Sequence, residues 1–208
     1  MGSFDEGEQH LRSVDPVMRA LIDERGPIDP ETDRRGSRPD AYEALARAIV
    51  GQQLSTKAAA SIWGKLQGQF GGRTPPPAEL VAADYDELRK AGLSNAKVKY
   101  LRELARRVES GELDLERLPE VADEDVVAEL IEVKGIGRWT AEMFLIFHLG
   151  RSDVMSAGDL GIRRAIQIAY GLENLPGPTD LDRIAGPWRP HRTLACLYLW
   201  RSLDNAPG

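Results

Sequence analysis

The chain has 208 residues, of which 42% are hydrophobic, a formal net charge of −6 and a single cysteine, Cys196. That length suits one compact unit or two closely associated lobes, and one cysteine excludes an internal disulfide as well as a four-thiolate zinc or iron–sulfur centre drawn from this chain. The acidic balance excludes coating of nucleic acid by bulk attraction, no apolar run approaches the roughly 18 residues of a membrane span, and the acidic start at Asp5, Glu6 and Glu8 does not read as a secretion signal, so a cytoplasmic protein without membrane association is expected.

Helical signals dominate. Asp15 followed by Pro16 reads as a cap and first helical position, with Val17, Met18, Leu21 and Ile22 on one face and Gly26 as the stop. A polar loop is expected from Gly26 to Pro39, then a helix from Asp40 to Val50. Gly51-Gln52-Gln53-Leu54-Ser55 interrupts the pattern before a further helix carries Ala59, Ile62, Trp63, Leu66 and Phe70. After a loop from Gly71 to Pro77 come short turns from Asp84 to Ala91, and then a longer amphipathic helix with Val98, Leu101, Ala105 and Val108 on one side. Strand signals are nearly absent, so the fold class is all-α.

Two basic clusters stand out against the acidic total. One comprises Arg89, Lys90, Lys97, Lys99, Arg102, Arg106 and Arg107; the other comprises Arg183, Arg189, His191, Arg192 and Arg201. Each reads either as a local DNA-binding patch or as an ordinary solvated helix face.

The most informative stretch follows. Val126, Val127, Leu130 and Ile131 form the apolar face of one helix, Lys134-Gly135-Ile136-Gly137 makes a tight turn, and Arg138-Trp139-Thr140-Ala141 begins the next helix. Glycine is needed where the chain takes positive φ or lies flat against another surface. Amides at the new helix start then make a site for one phosphate, which allows docking on a nucleic-acid backbone without reading sequence. A bare Gly-x-Gly is also read as a turn that merely needs glycine.

The run from Val133 to Ala141 resembles the helix-hairpin-helix (HhH-GPD) of the DNA glycosylases related to endonuclease III. Ser156-Ala157-Gly158-Asp159 matches the loop and essential aspartate that follow that hairpin, and the nearest branch is DNA-3-methyladenine glycosylase II in a compact form without its amino-terminal sheet domain. The resemblance covers roughly residues 40–200. It implies a two-lobed helical fold, with a bundle over 40–150, a second lobe from 1–39 plus 151–208, and a DNA-binding cleft between them. It implies Asp159 as the catalytic residue, a base pocket lined by Trp139, Trp200 and Met143, and DNA-backbone contacts from Lys134, Gly135, Gly137, Arg138 and Thr140. Gln53 or Leu54 would be the wedge that fills the gap left by an extruded base. A monovalent cation, sodium or potassium, would be held by the carbonyls of Ile131, Val133 and Ile136. No other cofactor, and no iron–sulfur cluster, is expected.

Lyase-competent members carry a lysine nucleophile where this chain has Trp139, so a monofunctional hydrolase is expected, acting as a monomer on damaged double-stranded DNA in base excision repair. Its substrate would be alkylated, cationic purines. Met143 stands where the branch usually has a further aromatic. Asp159 also reads simply as the cap of the helix holding Leu160, Ile162, Ala165 and Ile166; the two roles are compatible, because a helix start stabilises an anion. Trp63 and His148 read as core. A non-catalytic hairpin module that grips DNA backbone within a repair complex is the alternative.

Overall fold

A computed structural model describes residues 2–28 and 40–203 of the chain, so most of the loop expected between Gly26 and Pro39 lies outside the described residues. Every regular element among the described residues is helical. These residues divide into two compact units, one drawn from Met1–Ser37 and Leu145–Gly208 and the other from Arg38–Phe144.

The unit within Arg38–Phe144 holds α3 (Ala41–Gly51), α4 (Thr56–Gln69), α5 (Pro77–Ala82), α6 (Tyr85–Lys90), α7 (Asn95–Glu109), α8 (Asp123–Ile131) and α9 (Arg138–Met143). Local chemistry sets the starts. Asp40 accepts from the Glu43 amide at 2.7 Å, Ser55 from Ala58 at 3.3 Å, Asp84 from Asp86 and Glu87, and Ser94 from Lys97 at 3.2 Å. α7 is the centre of this unit, touching α3, α5 and α6, because Val98, Leu101, Leu104 and Ala105 are all fully buried on it. Each such leucine contributes roughly 1.5–3 kcal/mol by leaving water. Trp63 is buried, with the Arg47 guanidinium 5.3 Å from its ring centroid, in keeping with the core reading. Ile131, assigned to the apolar face of α8, is 46% exposed instead. It stands in the last turn, where the chain leaves the helix for the hairpin.

The other unit holds α1 (Gly2–Val14), α2 (Pro16–Arg25), α10 (Leu160–Ala169), α11 (Pro178–Ala185) and α12 (Arg192–Leu203), with a 3₁₀ turn at Gly186–Trp188 and all but the first residue of a π-helical turn at Phe144–Leu149. α12 is buried nearly all round, through Leu194, Ala195, Cys196, Tyr198 and Leu199, and is touched by α1, α2 and α10. Asp15 starts α2 as expected, and its carboxylate also receives the Tyr170 hydroxyl at 2.5 Å and the indole N–H of the fully buried Trp188 at 2.8 Å. No helix among the described residues is long and apolar enough to cross a membrane.

Candidate active site

The hairpin is a chain of short turns. The Val133 amide donates to the Leu130 carbonyl at 3.1 Å and the Ile136 amide to Val133 at 3.0 Å. Gly135 has φ +94°, and a Cβ built on it would sit 2.3 Å from the Tyr100 ring, so both conformation and space demand glycine. Gly137 serves a different purpose. It precedes α9 in an extended conformation, with φ −96° and ψ 170°, and a Cβ there would meet open space, which leaves the backbone accessible. Lys134 is exposed and Thr140 is buried. Arg138 turns back on the protein, donating to Glu124 at 2.6 Å and to the buried Glu142 at 3.1 Å, and these bonds raise its pKa. Trp139, 49% exposed, and the half-buried Met143 lie on α9 of the same unit.

The interruption between α3 and α4 is a tight turn closed by the Leu54 amide on the Gly51 carbonyl at 3.1 Å. Gln53 there adopts φ +57°, a left-handed conformation that costs a side-chain-bearing residue about 1–2 kcal/mol. Gln53 and Leu54 are both exposed. The turn is braced from below: the Lys97 ammonium donates to the Val50 and Gln52 carbonyls at 2.8 Å each, and the Gln52 side-chain amide donates to the Gly135 carbonyl at 2.6 Å.

Asp159 begins α10 in the other unit. Its amide donates to Ser156, and its Oδ1 accepts two N–H groups, from the Ile162 backbone at 2.8 Å and from the Trp200 indole at 3.1 Å. The helix cap and the contact with Trp200 therefore fall on one carboxylate oxygen. Trp200 is half-buried and stacks on Phe147, with centroids 5.9 Å apart and planes 27° from parallel. Phe147, 41% exposed, belongs to the π-helical turn, a distortion of the kind frequent at functional sites. Gly161 completes the group, because a Cβ on it would lie 2.9 Å from Asp159 Oδ1 and 3.5 Å from Trp200.

Sequence reasoning singled out Asp159 and Trp200, which are in contact, but not Phe147 or Gly161 beside them, and it named Lys97 only as a member of a basic cluster. An exposed phenylalanine within Phe144–Leu149 resembles any core residue in sequence, and the Gly161 constraint exists only because Trp200 is folded against it. Asp159, Trp200 and Phe147 fall in one unit; the hairpin, Trp139, Met143 and the Gln53 turn fall in the other.

The two basic clusters are largely committed internally. Arg89 donates to Leu93, Lys90 to Glu87, Arg102 to Ala83, Arg106 to Glu112 and Arg107 to Glu103, while Arg189 and Arg192 share Asp153 and Arg201 reaches the Pro27 carbonyl. They are better read as braces than as continuous phosphate-binding patches. Among the described residues no group of three or more His, Cys, Asp or Glu side chains is arranged to hold a metal ion. The donor set at the hairpin is different in kind: the carbonyls of Ile131, Val133 and Ile136 are neutral oxygens of the sort that suit a monovalent cation, and Val133 retains a second lone pair beyond its bond from Ile136.

Known proteins resemble this chain over most of its length. Residues 46–190 match the profile of the HhH-GPD superfamily base excision DNA repair proteins. DNA-3-methyladenine glycosylase 1 of Schizosaccharomyces pombe is 34% identical over 202 residues, covering 96% of this chain and 88% of the relative. The structure of a 3-methyladenine DNA glycosylase from the same organism in complex with abasic DNA superposes with a TM-score of 0.84 at 33% identity, covering 97% of this chain and 98% of the other. A DNA-3-methyladenine glycosidase from Bacillus halodurans gives a TM-score of 0.85 at 36% identity, with 96% and 89% covered. The chain belongs to the HhH-GPD superfamily of base excision DNA repair proteins.

Proposed function

We propose that the chain is a monofunctional DNA glycosylase that extrudes an alkylated purine from damaged double-stranded DNA and hydrolyses its N-glycosidic bond at Asp159. The observation that carries the reading is the Asp159 carboxylate, with Oδ1 anchored by the Ile162 amide and the Trp200 indole beside the Trp200–Phe147 pair. The names of the relatives above support the substrate class.

Cleavage of the glycosidic bond builds positive charge on the sugar, and a carboxylate fixed beforehand stabilises that charge without reorganising during the reaction. With one oxygen tied down, the carboxyl plane is set before substrate arrives. An alkylated purine is itself cationic, so it leaves without a strong general acid, and an aromatic face stacked on it adds about 0.5–2 kcal/mol through cation–π attraction. Trp139 has no amine to form a Schiff base with the sugar, which supports hydrolysis without strand cleavage. Gln53 or Leu54 would fill the space vacated by the base. The hairpin amides would take a phosphate, and the carbonyls of Ile131, Val133 and Ile136 would hold a monovalent cation that adds positive charge beside it.

The test is incubation with methylated duplex DNA and chromatography of the released bases. Wild-type protein is expected to release free methylated purine and leave abasic DNA unbroken. Asp159→Asn keeps a capping side chain but not the charge, so it should fold and bind while losing about a hundredfold or more in rate. Absence of base release from the wild type would leave a backbone-binding module instead.

A further inference from the structure

We infer that Lys97 is a positioning residue for base extrusion, holding the Gly51–Ser55 turn so that Gln53 and Leu54 stand ready to enter the duplex; this rests on reading that turn as the wedge. Lys97 Nζ lies 2.8 Å from both the Val50 and Gln52 carbonyls, where α3 ends and leaves carbonyl groups without intrahelical donors. A cation at that end also meets the negative pole of the helix. Burial pulls the Lys97 pKa below its ordinary value, as expected for an ammonium directed at backbone carbonyls rather than at solvent.

The turn needs such a brace. Gln53 is held at φ +57°, and a left-handed side-chain-bearing residue persists only where its surroundings over-determine it. Ordering the two exposed side chains before DNA arrives removes part of the entropic cost of inserting one of them.

The same face of α7 also supports the hairpin. Tyr100, three residues after Lys97, lies against Gly135, and the Gln52 side chain donates to the Gly135 carbonyl at 2.6 Å. One helix face thus fixes the wedge turn relative to the phosphate-binding turn. If Lys97 contacted phosphate instead, its removal would weaken all DNA binding and flatten the salt dependence.

The experiment uses a duplex with a tetrahydrofuran abasic site opposite 2-aminopurine, whose fluorescence rises when a side chain enters the gap and unstacks it. Lys97→Met, Lys97→Gln and Gln53→Ala with Leu54→Ala are compared with wild type at saturating protein, alongside melting curves and affinity for undamaged duplex at several salt concentrations. Both Lys97 variants are expected to lose most of the fluorescence rise, Lys97→Gln less because its amide can still donate to one carbonyl. Undamaged-duplex affinity should stay within about twofold with an unchanged salt slope, and single-turnover base release should fall about tenfold as charged hydrogen bonds to the turn are lost. A full fluorescence rise in either folded Lys97 variant, while the Gln53/Leu54 variant loses it, overturns the role of Lys97. A reduced salt slope with normal fluorescence does the same and makes Lys97 a phosphate contact. A full rise in the Gln53/Leu54 variant removes the wedge reading and the inference with it.

Discussion

Asp15 is the position where a single substitution should cost most in stability. Its carboxylate, 8% exposed, accepts the Val17 and Met18 amides at 2.8 and 3.1 Å, the Tyr170 hydroxyl at 2.5 Å and the Trp188 indole at 2.8 Å. It thereby ties the start of α2 to the residue that ends α10 and to the 3₁₀ turn. Asp15→Ala removes a helix cap worth about 1 kcal/mol and two hydrogen bonds to a charged acceptor worth about 1.5–3 kcal/mol each, for a loss of about 4–7 kcal/mol. Against a typical total of about 5–15 kcal/mol, this approaches unfolding. Asp15→Asn preserves shape and the cap but presents an NH₂ to two donors, so about half that loss is expected. Urea titration followed by tryptophan fluorescence measures both, and a shift of about 2–4 °C in Tm per kcal/mol should appear on heating. Base release per folded molecule should remain close to wild type, because Asp15 touches no reacting group. A loss below about 1 kcal/mol for Asp15→Ala would refute the picture of a buried carboxylate satisfying four donors.

Three further outcomes can be checked. Gly135→Ala should destabilise by about 3 kcal/mol or more, since its Cβ would collide with the Tyr100 ring at positive φ, whereas Gly137→Ala should melt like wild type and weaken only DNA affinity, as read by thermal denaturation and fluorescence anisotropy. Gly161→Ala should change Tm little, because the helix preference of alanine, up to about 1 kcal/mol over glycine, is offset by the disturbed Asp159 cap of similar size, yet it should slow single-turnover base release by about ten- to a hundredfold as Asp159 Oδ1 is displaced. Burial, reinforced by hydrogen bonds to carboxylates, raises the phenol pKa of Tyr170 and Tyr198 above the ordinary 10.0, so the folded state keeps protons that the unfolded chain releases. Their contribution should be whole below about pH 10 and decline as pH rises further, seen as a falling urea midpoint in alkaline buffer.

What the sequence disclosed was whatever depends on near neighbours. Asp15, Asp40 and Asp159 cap helices because a side chain and an amide two or three residues away suffice, and the periodicity of α7 buries Val98, Leu101 and Ala105 whatever covers them. α1 was not foreseen. Its pairing of Glu8 with the Tyr198 hydroxyl joins residues 190 apart, and neither partner looks unusual alone. The basic clusters stayed open between two readings for a related reason: the partners of Arg102 and Arg106 appear only when Ala83 and Glu112 are folded beside them. At the site, Asp159 was legible through its linkage to the hairpin motif, while the bond from Trp200, 41 residues on, and the stack with Phe147 are tertiary facts without a local signature.

The net charge of −6 then acquires a physical meaning. With most arginines of both clusters already paired with carbonyls and carboxylates of the protein, each phosphate contact they made would give up an internal partner, which favours affinity for undamaged duplex that comes from a few well-placed groups. Backbone amides at a hairpin would serve that purpose, because their partial charges are fixed by geometry and cost no side-chain entropy. Weak general attraction also suits an enzyme that tests many bases, since a protein held firmly everywhere would leave each intact site slowly. Discrimination then falls on extrusion, which costs a few kcal/mol and less for damaged bases; on the proposed roles of the Gln53 turn and the Asp159 carboxylate, their preorganisation would matter more than the size of any basic surface.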